Sequence, residues 1–286
     1  MATSEIVAMR GRLPTTTCHQ ARLRIFQATR RPRNVDEVCV TSWGRVRVKG
    51  RLGQQHADVF ETICYRAQRT APTPDGRIKL LVDPAEVRRV ARQSSGSTFM
   101  HVIEDLMQAL IEIMAPMHLA CVGHLIDHID LAQRANGEHI TRFNPLGGTR
   151  TMWRTEIGRA ACKLLDADLW LHRDPTPIAA LRHGISQAVA RHILTHRAGT
   201  CDRWGMDTLI RMVAGDLQPQ QMRDRRRELC ADLPALARMG VRVADVEQKP
   251  GGVDHKPDAL EQKPGGVDHK PGIAEALQDS QDPSGS

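Results

Sequence analysis

The sequence predicts an α+β fold, mainly helical with small β-hairpins, and three observations point there. Hydrophobic residues make up 41% of the 286-residue chain, enough for a real core. Apolar residues recur at helical spacing along much of it, broken by short runs of strict alternation. Aromatic residues are only 3%, which argues against a sheet or groove that stacks single-stranded bases on aromatic platforms.

Taken in order, residues 1–35 are basic and polar, with Arg30, Arg31, Pro32 and Arg33 in succession. They show no period, so a disordered basic arm is expected, with phosphate contact as its sharper reading. Val38, Val40 and Ser42 alternate with their neighbours. Val46 and Val48 repeat the pattern after Trp43-Gly44, which predicts a hairpin carrying Arg45, Arg47 and Lys49 on its other face. Val59, Ile63 and Ala67 predict a helix over 54–68, and Ile78–Val82 a short strand. Asp83-Pro84 starts the next helix, since Asp caps exposed amides and Pro fits the first turn. Ser97 or Thr98 caps a third helix running to about Met114, with Val102, Leu106, Leu110 and Ile113 as its core stripe. Residues 119–143 read as two strands around Ala135-Asn136-Gly137-Glu138. Helix, helix, helix, hairpin is the order of a winged helix, so 36–144 is expected as an N-terminal winged-helix domain.

A second copy of that order is expected over 145–246. Pro145, Gly147 and Gly148 mark a junction, and Trp153–Leu165 reads as a helix. Residues 168–171 read as extended, and 186–196, 207–213 and 218–239 as helices, with Gly240 as C-cap and Val241 and Val243 as a wing strand. The sequence EQKPGGVDHKP occurs at 247–257 and again at 261–271. Lys-Pro-Gly-Gly sustains neither helix nor central strand, and two copies are too few for a solenoid, so 247–286 is expected as a disordered, repeated tail.

Charge narrows the partners. The formal net charge is +7, unevenly spread: residues 1–51 carry eleven Lys/Arg against three Asp/Glu, and 245–286 carry four against nine. An acidic partner is expected, nucleic acid first. The seven cysteines form no Cys-x-x-Cys pair, so no zinc-finger spacing is present. No leader-like or long apolar run is found, which predicts a cytoplasmic protein with no membrane contact.

Residues 222–228, Met-Arg-Asp-Arg-Arg-Arg-Glu, carry the functional reading. On a helix Arg223, Arg226 and Arg227 share one sector, while Met222, Leu229, Leu233 and Leu236 form an apolar stripe. Such a helix fits the major groove, where Arg donates two bonds to guanine or clamps phosphate. The helix at 207–213 supplies the helix-turn-helix partner, and Gln220 and Gln221 at the helix start suit adenine edges or phosphate. A solvated face with Asp224 and Glu228 as ion-pair partners is the bland alternative.

Asp207-Thr208-Leu209, Met222-Arg-Asp-Arg-Arg-Arg, Ala231-Asp-Leu-Pro-Ala-Leu and Met239-Gly-Val-Arg-Val, with 190–196 upstream, resemble the C-terminal region of the RepC replication initiators of IncQ plasmids. The resemblance covers about 186–246. It implies a plasmid initiator of two winged-helix domains that binds origin repeats (iterons), opens the origin and recruits host replication proteins such as the helicase. It implies no catalytic site and no cofactor. Expected DNA contacts are Gln220, Gln221, Arg223, Arg225, Arg226, Arg227 and Thr208, with Arg45, Arg47 and Lys49 on the hairpin; the N-terminal domain is expected to contribute homodimer contacts, a second half-site, or both. One departure is that the Lys-Pro-Gly-Gly repeat begins where the second wing strand should follow Val246.

Two other readings compete. A winged-helix repressor without a replication role uses the same surface. His124, Asp127, His128 and Asp130 invite a metal-dependent nuclease or hydrolase, although a strand would send His124 and Asp127 to opposite faces. Gly147-Gly148 lacks the Lys-Ser/Thr of a P-loop.

Overall fold

The computed structural model describes residues 13–41, 44–114, 121–166, 170–200 and 204–244. The repeated tail expected over 247–286 lies outside them. The described residues open with β1 (Thr16–Thr17) and α1 (Cys18–Arg22), whose first turn is capped where the Thr17 side chain accepts from Gln20 N. The expected disordered arm is thus corrected from residue 13 onward. Leu13, Leu23, Ile25 and Phe26 are buried in the first core, and β1 pairs with a strand far along the chain. Four apolar side chains scattered among arginines are enough to dock the segment, although they follow no period.

The hairpin forms as expected, β2 (Val35–Thr41) pairing antiparallel with β3 (Gly44–Gly50), but its faces differ: Val38 and Val40 lie opposite Arg47 and Arg45 and share their exposed face, while Val46 and Val48 alone of the four valines are buried. Then comes α2 (Gln54–Arg66), buried on nearly every side. Strands β4 (Arg69–Pro72) and β5 (Ile78–Val82) flank the Asp75-Gly76 turn. Asp83 caps α3 (Pro84–Val90) by accepting from Ala85 N and Glu86 N.

Helix α4 (Gly96–Gln108) is capped by Ser95, not by Ser97 or Thr98, and it stops before Met114. Residues Leu110–Met114 form β6 instead. Ile111 and Ile113 are buried while their neighbours are half-exposed, a period of two that the helical reading of Leu110 and Ile113 overlooked. The hairpin expected over 119–143 becomes β7 (Cys121–Gly123), β8 (Ile126–Leu131) and β9 (Thr141–Phe143), and β9 pairs with β10 (Thr149–Thr151) around Pro145.

Trp153–Leu165 is not one helix. Trp153–Ile157 is β11, and α5 (Arg159–Asp166) begins after Gly158. A Cβ at Gly158 would collide with the His124 carbonyl, so this position takes a residue without a side chain and breaks the segment. β11 lies between β5 and β8, so residues expected beyond the junction complete a sheet begun at residue 69.

Among the described residues the main sheets are β2-β3-β6-β7 and β4-β5-β11-β8, both antiparallel throughout. Strand content thus exceeds small hairpins on a mainly helical chain, while the α+β class holds. β12 (Trp170–Leu171) pairs with β1. The chain then turns helical: α6 (Thr176–Ala179), α7 (Gly184–Ile193), α8 (Met206–Ala214) and α9 (Pro219–Arg238). Gly240 takes a left-handed φ of 75°, as a C-cap glycine does. Val241 and Val243 do not form the expected wing strand. Val241 is buried under α9, and Ala244 makes an isolated parallel bridge to Gly205.

Among the described residues two hydrophobic cores result. The first takes residues from Leu13 to Leu165; the second takes Ala28 and residues from Ile178 to Val241. Both lie in one compact unit, 1–247. Among the described residues no helix is long and apolar enough to cross a membrane.

Candidate nucleic-acid interface

Helix α9 has two unlike sides. Met222, Leu229, Asp232 and Leu236 are buried against the second core. Gln220, Arg223, Arg227, Ala231 and Pro234 are exposed, at spacings of three and four that make one stripe. Pro234 lies inside the helix but on this outer side, where its missing N–H leaves no buried acceptor behind.

Helix α8 precedes α9 across a short turn at Gly215, whose φ of 75° favours glycine. The two helices are fastened at a distance from that turn. Arg226 donates from Nε and Nη2 to the two carboxylate oxygens of Asp207, in the first turn of α8. The Arg226 bond holds the Asp207 carboxyl below the usual carboxylate range. On the other flank, Asp232 accepts from His183 N at 2.9 Å and Arg182 N at 3.4 Å, which satisfies exposed amides where α7 begins. The α7–α8–α9 unit is therefore a fixed tripod with one exposed ridge.

A buried ion network joins this unit to the first core. Arg191 of α7 donates to Asp58 at 2.7 Å, Glu61 at 3.1 Å and Gln54 at 2.7 Å, all three on α2. Gln187 adds a 3.0 Å bond to Asp58, and Arg173 lies 3.6 Å from Glu61. Burial alone would lower the Arg191 pKa; the Glu61 and Asp58 carboxylates outweigh it and raise it. Sequence reasoning missed this network. Its signal was present as Gln54, Asp58 and Glu61, a polar stripe at i, i+4 and i+7 on a helix otherwise fit for burial.

The expected DNA contacts divide into separate groups. Arg223 and Thr208 are exposed and have no side-chain partner among the described residues. Arg227, 81% exposed, bonds Asp224 at 3.0 Å along the same helix, and Gln220 reaches Asp224 at 3.3 Å. Arg225 pairs with Glu228 at 2.7 Å. Gln221 accepts from Gln218 N at 3.0 Å and so serves the helix start. Arg226 is committed to Asp207. On the hairpin, Arg47 is engaged by Asp36 at 2.5 Å and Glu112 at 3.6 Å, while Arg45 and Lys49 are exposed.

The residues of the metal reading find other partners. His124 Nδ1 lies 3.0 Å from the Ala109 carbonyl, Asp127 accepts from Arg77 at 3.2 Å, and His128 lies 2.7 Å from Asp130. Among the described residues no group of three or more His, Cys, Asp or Glu is placed to hold a metal ion.

No described protein family matches the chain by sequence, and no curated protein does. Solved structures do match in fold. The crystal structure of domains 2 and 3 of RctB, a Vibrio replication initiator, aligns with a TM-score of 0.51 at 11% identity, covering 77% of this chain and 84% of that one. A second crystal structure of the same domains aligns with a TM-score of 0.44 at 11% identity, over 76% and 82% of the two chains. At such identity the likeness is one of fold, and it carries no link to the RepC family.

Proposed function

We propose that this chain is a replication initiator that binds duplex DNA at a plasmid origin, with α9 as its major-groove helix. The observation that carries the reading is the exposed ridge of α9. Arg223 stands free on it, and Arg227 and Gln220 share only a solvent-exposed carboxylate, which a base edge or phosphate can replace at little cost. The opposite side of the helix is buried and braced by Asp207 and Asp232, which gives the rigidity that base readout requires. The likeness to RctB supports an initiator over other basic DNA-binding proteins.

In this reading the chain acts by binding, without catalytic groups or a cofactor. The α7–α8–α9 unit engages directly repeated sites. The hairpin residues Arg45 and Lys49 contact phosphates, and a homodimer and the host helicase complete the assembly. Fluorescence anisotropy with a directly repeated origin duplex and with a scrambled duplex tests it. The expected result is tighter binding to the repeats and a steep fall in affinity with salt. Equal, weak binding to both overturns it. A replication assay with the protein supplied in trans separates an initiator from a repressor, since a repressor occupies the same DNA without sustaining the plasmid.

A further inference from the structure

Beside the start of α9 lies a cleft of about 270 Å³ lined by Arg24, Arg31, Arg33, Glu37, Gln221 and Arg225. Four arginines and one carboxylate line it, and Arg225 is paired with Glu228 beside it, which leaves the three arginines of the N-terminal segment against Glu37. Three of the arginines come from the N-terminal segment rather than from the helices of the second core. We propose that this cleft grips the sugar–phosphate backbone of the duplex next to the groove that α9 enters. The N-terminal segment then supplies affinity that is independent of base sequence. The inference rests on the reading of α9 as the DNA helix.

Three observations support it. Arg31 and Arg33 are exposed and have no side-chain partner among the described residues, yet their main chain is pinned. Arg31 N donates to Thr29 Oγ1 at 3.1 Å, Arg33 N to Gln27 Oε1 at 3.3 Å, and Gln27 Nε2 to the Arg33 carbonyl at 2.7 Å. Like charges held close together on a fixed loop repel one another, and an anion shared between them relieves that repulsion. Second, Arg24 adopts a left-handed φ of 50°, which side-chain-bearing residues avoid. That backbone brings its guanidinium onto Gly215, where any Cβ would collide with it. The strained residue thus delivers a cation to the turn between α8 and α9. Third, Gln221 and Arg225 line the cleft, so it adjoins the N-terminal part of α9, the part of a recognition helix that faces the bases while the helix before it crosses the phosphate backbone.

The test uses the full chain with Arg31→Ala and Arg33→Ala together, and Arg227→Ala as comparator. Affinities for an origin repeat and a scrambled duplex are measured by anisotropy from 50 to 200 mM salt, with thermal melts alongside. The double variant is expected to melt like the parent and to lose affinity equally for both duplexes. Its log–log salt slope should fall by about 0.9 for each phosphate contact removed. Arg31→Lys with Arg33→Lys should keep the slope, because the charges remain. Arg227→Ala should instead narrow the ratio between the two duplexes. A folded double alanine variant with the parent's slope overturns the cleft while leaving the α9 reading intact. A parent that binds neither duplex overturns both.

Discussion

Arg226 and Asp207 form a two-pronged ion pair that fastens α9 to the first turn of α8. The pair makes Arg226 a brace inside the candidate DNA-binding unit, distinct from its neighbours Arg223 and Arg227. Replacing either partner lowers the melting temperature, and the double variant Arg226→Ala/Asp207→Ala melts no lower than the worse single one, because one interaction is lost in all three. Thermal melts of the four proteins check this. Additive losses would show that the two residues act separately.

Arg223→Ala and Arg227→Ala should leave stability nearly unchanged, since both side chains face water. Each should cost about 1–3 kcal/mol at the cognate DNA site if it reads a base, and relax specificity there. Titration against single-base variants of the repeat measures this, and equal binding of parent and variants would remove the ridge from the interface.

Arg191→Ala should destabilise the protein by about 3–5 kcal/mol, because buried Asp58 and Glu61 lose the guanidinium that bonds both and keep, among the described cations, only the longer contacts to Arg30 and Arg173. Urea denaturation reads the loss. A cost below about 1 kcal/mol would mean the network is solvated when the protein is free.

His192 gives a pH dependence. Burial, then His196 and Arg22, pull its pKa down to about 4, and neither ring nitrogen has a hydrogen-bond partner among the described residues. Between pH 6.5 and about 4 the unfolded chain therefore binds a proton that the folded one refuses. Stability falls as pH is lowered through that window, by about 3 kcal/mol at most. His192→Gln should flatten the dependence, as urea midpoints at pH 7 and 4.5 will show. A slope unchanged by the substitution would assign it to other groups, such as His56, whose pKa burial also lowers against the pull of Asp105.

How much of this was legible in the sequence follows from the interactions involved. Asp83-Pro84, the Gly240 cap and the stripe on α9 are local signals, and they appear where the periods put them. Trp153–Ile157 was misread because a five-residue strand flanked by a helix offers little alternation to count, and its identity is set by partners at 78–82 and 126–131. The ridge of α9 was readable as a face, but not the assignment of Arg226, since nothing in the spacing of 207 and 226 says that α8 folds back beside it. The cleft was the least legible feature. Arg24, Arg31 and Arg33 resemble a solvated arm until Thr29 is seen held between two helices.

Gly184→Ala, at the head of α7, tests that last point. A Cβ there would sit 2.5 Å from the Thr29 main chain, and one at Gly53 2.6 Å from the Thr29 carbonyl oxygen. Each substitution should cost about 1–3 kcal/mol through overpacking. Gly205→Ala, with no atom within 4 Å of the added Cβ, should cost far less. Equal effects at all three would mean the contact at Thr29 yields freely.

Thr29 is made early on the ribosome, yet one of the two glycines that receive it is residue 184. Until α7 has been synthesised, the segment carrying Arg24, Arg31 and Arg33 lacks half of its seat. It should therefore be among the last parts of the chain to settle, in a slow closing step governed by a loop of more than 150 residues.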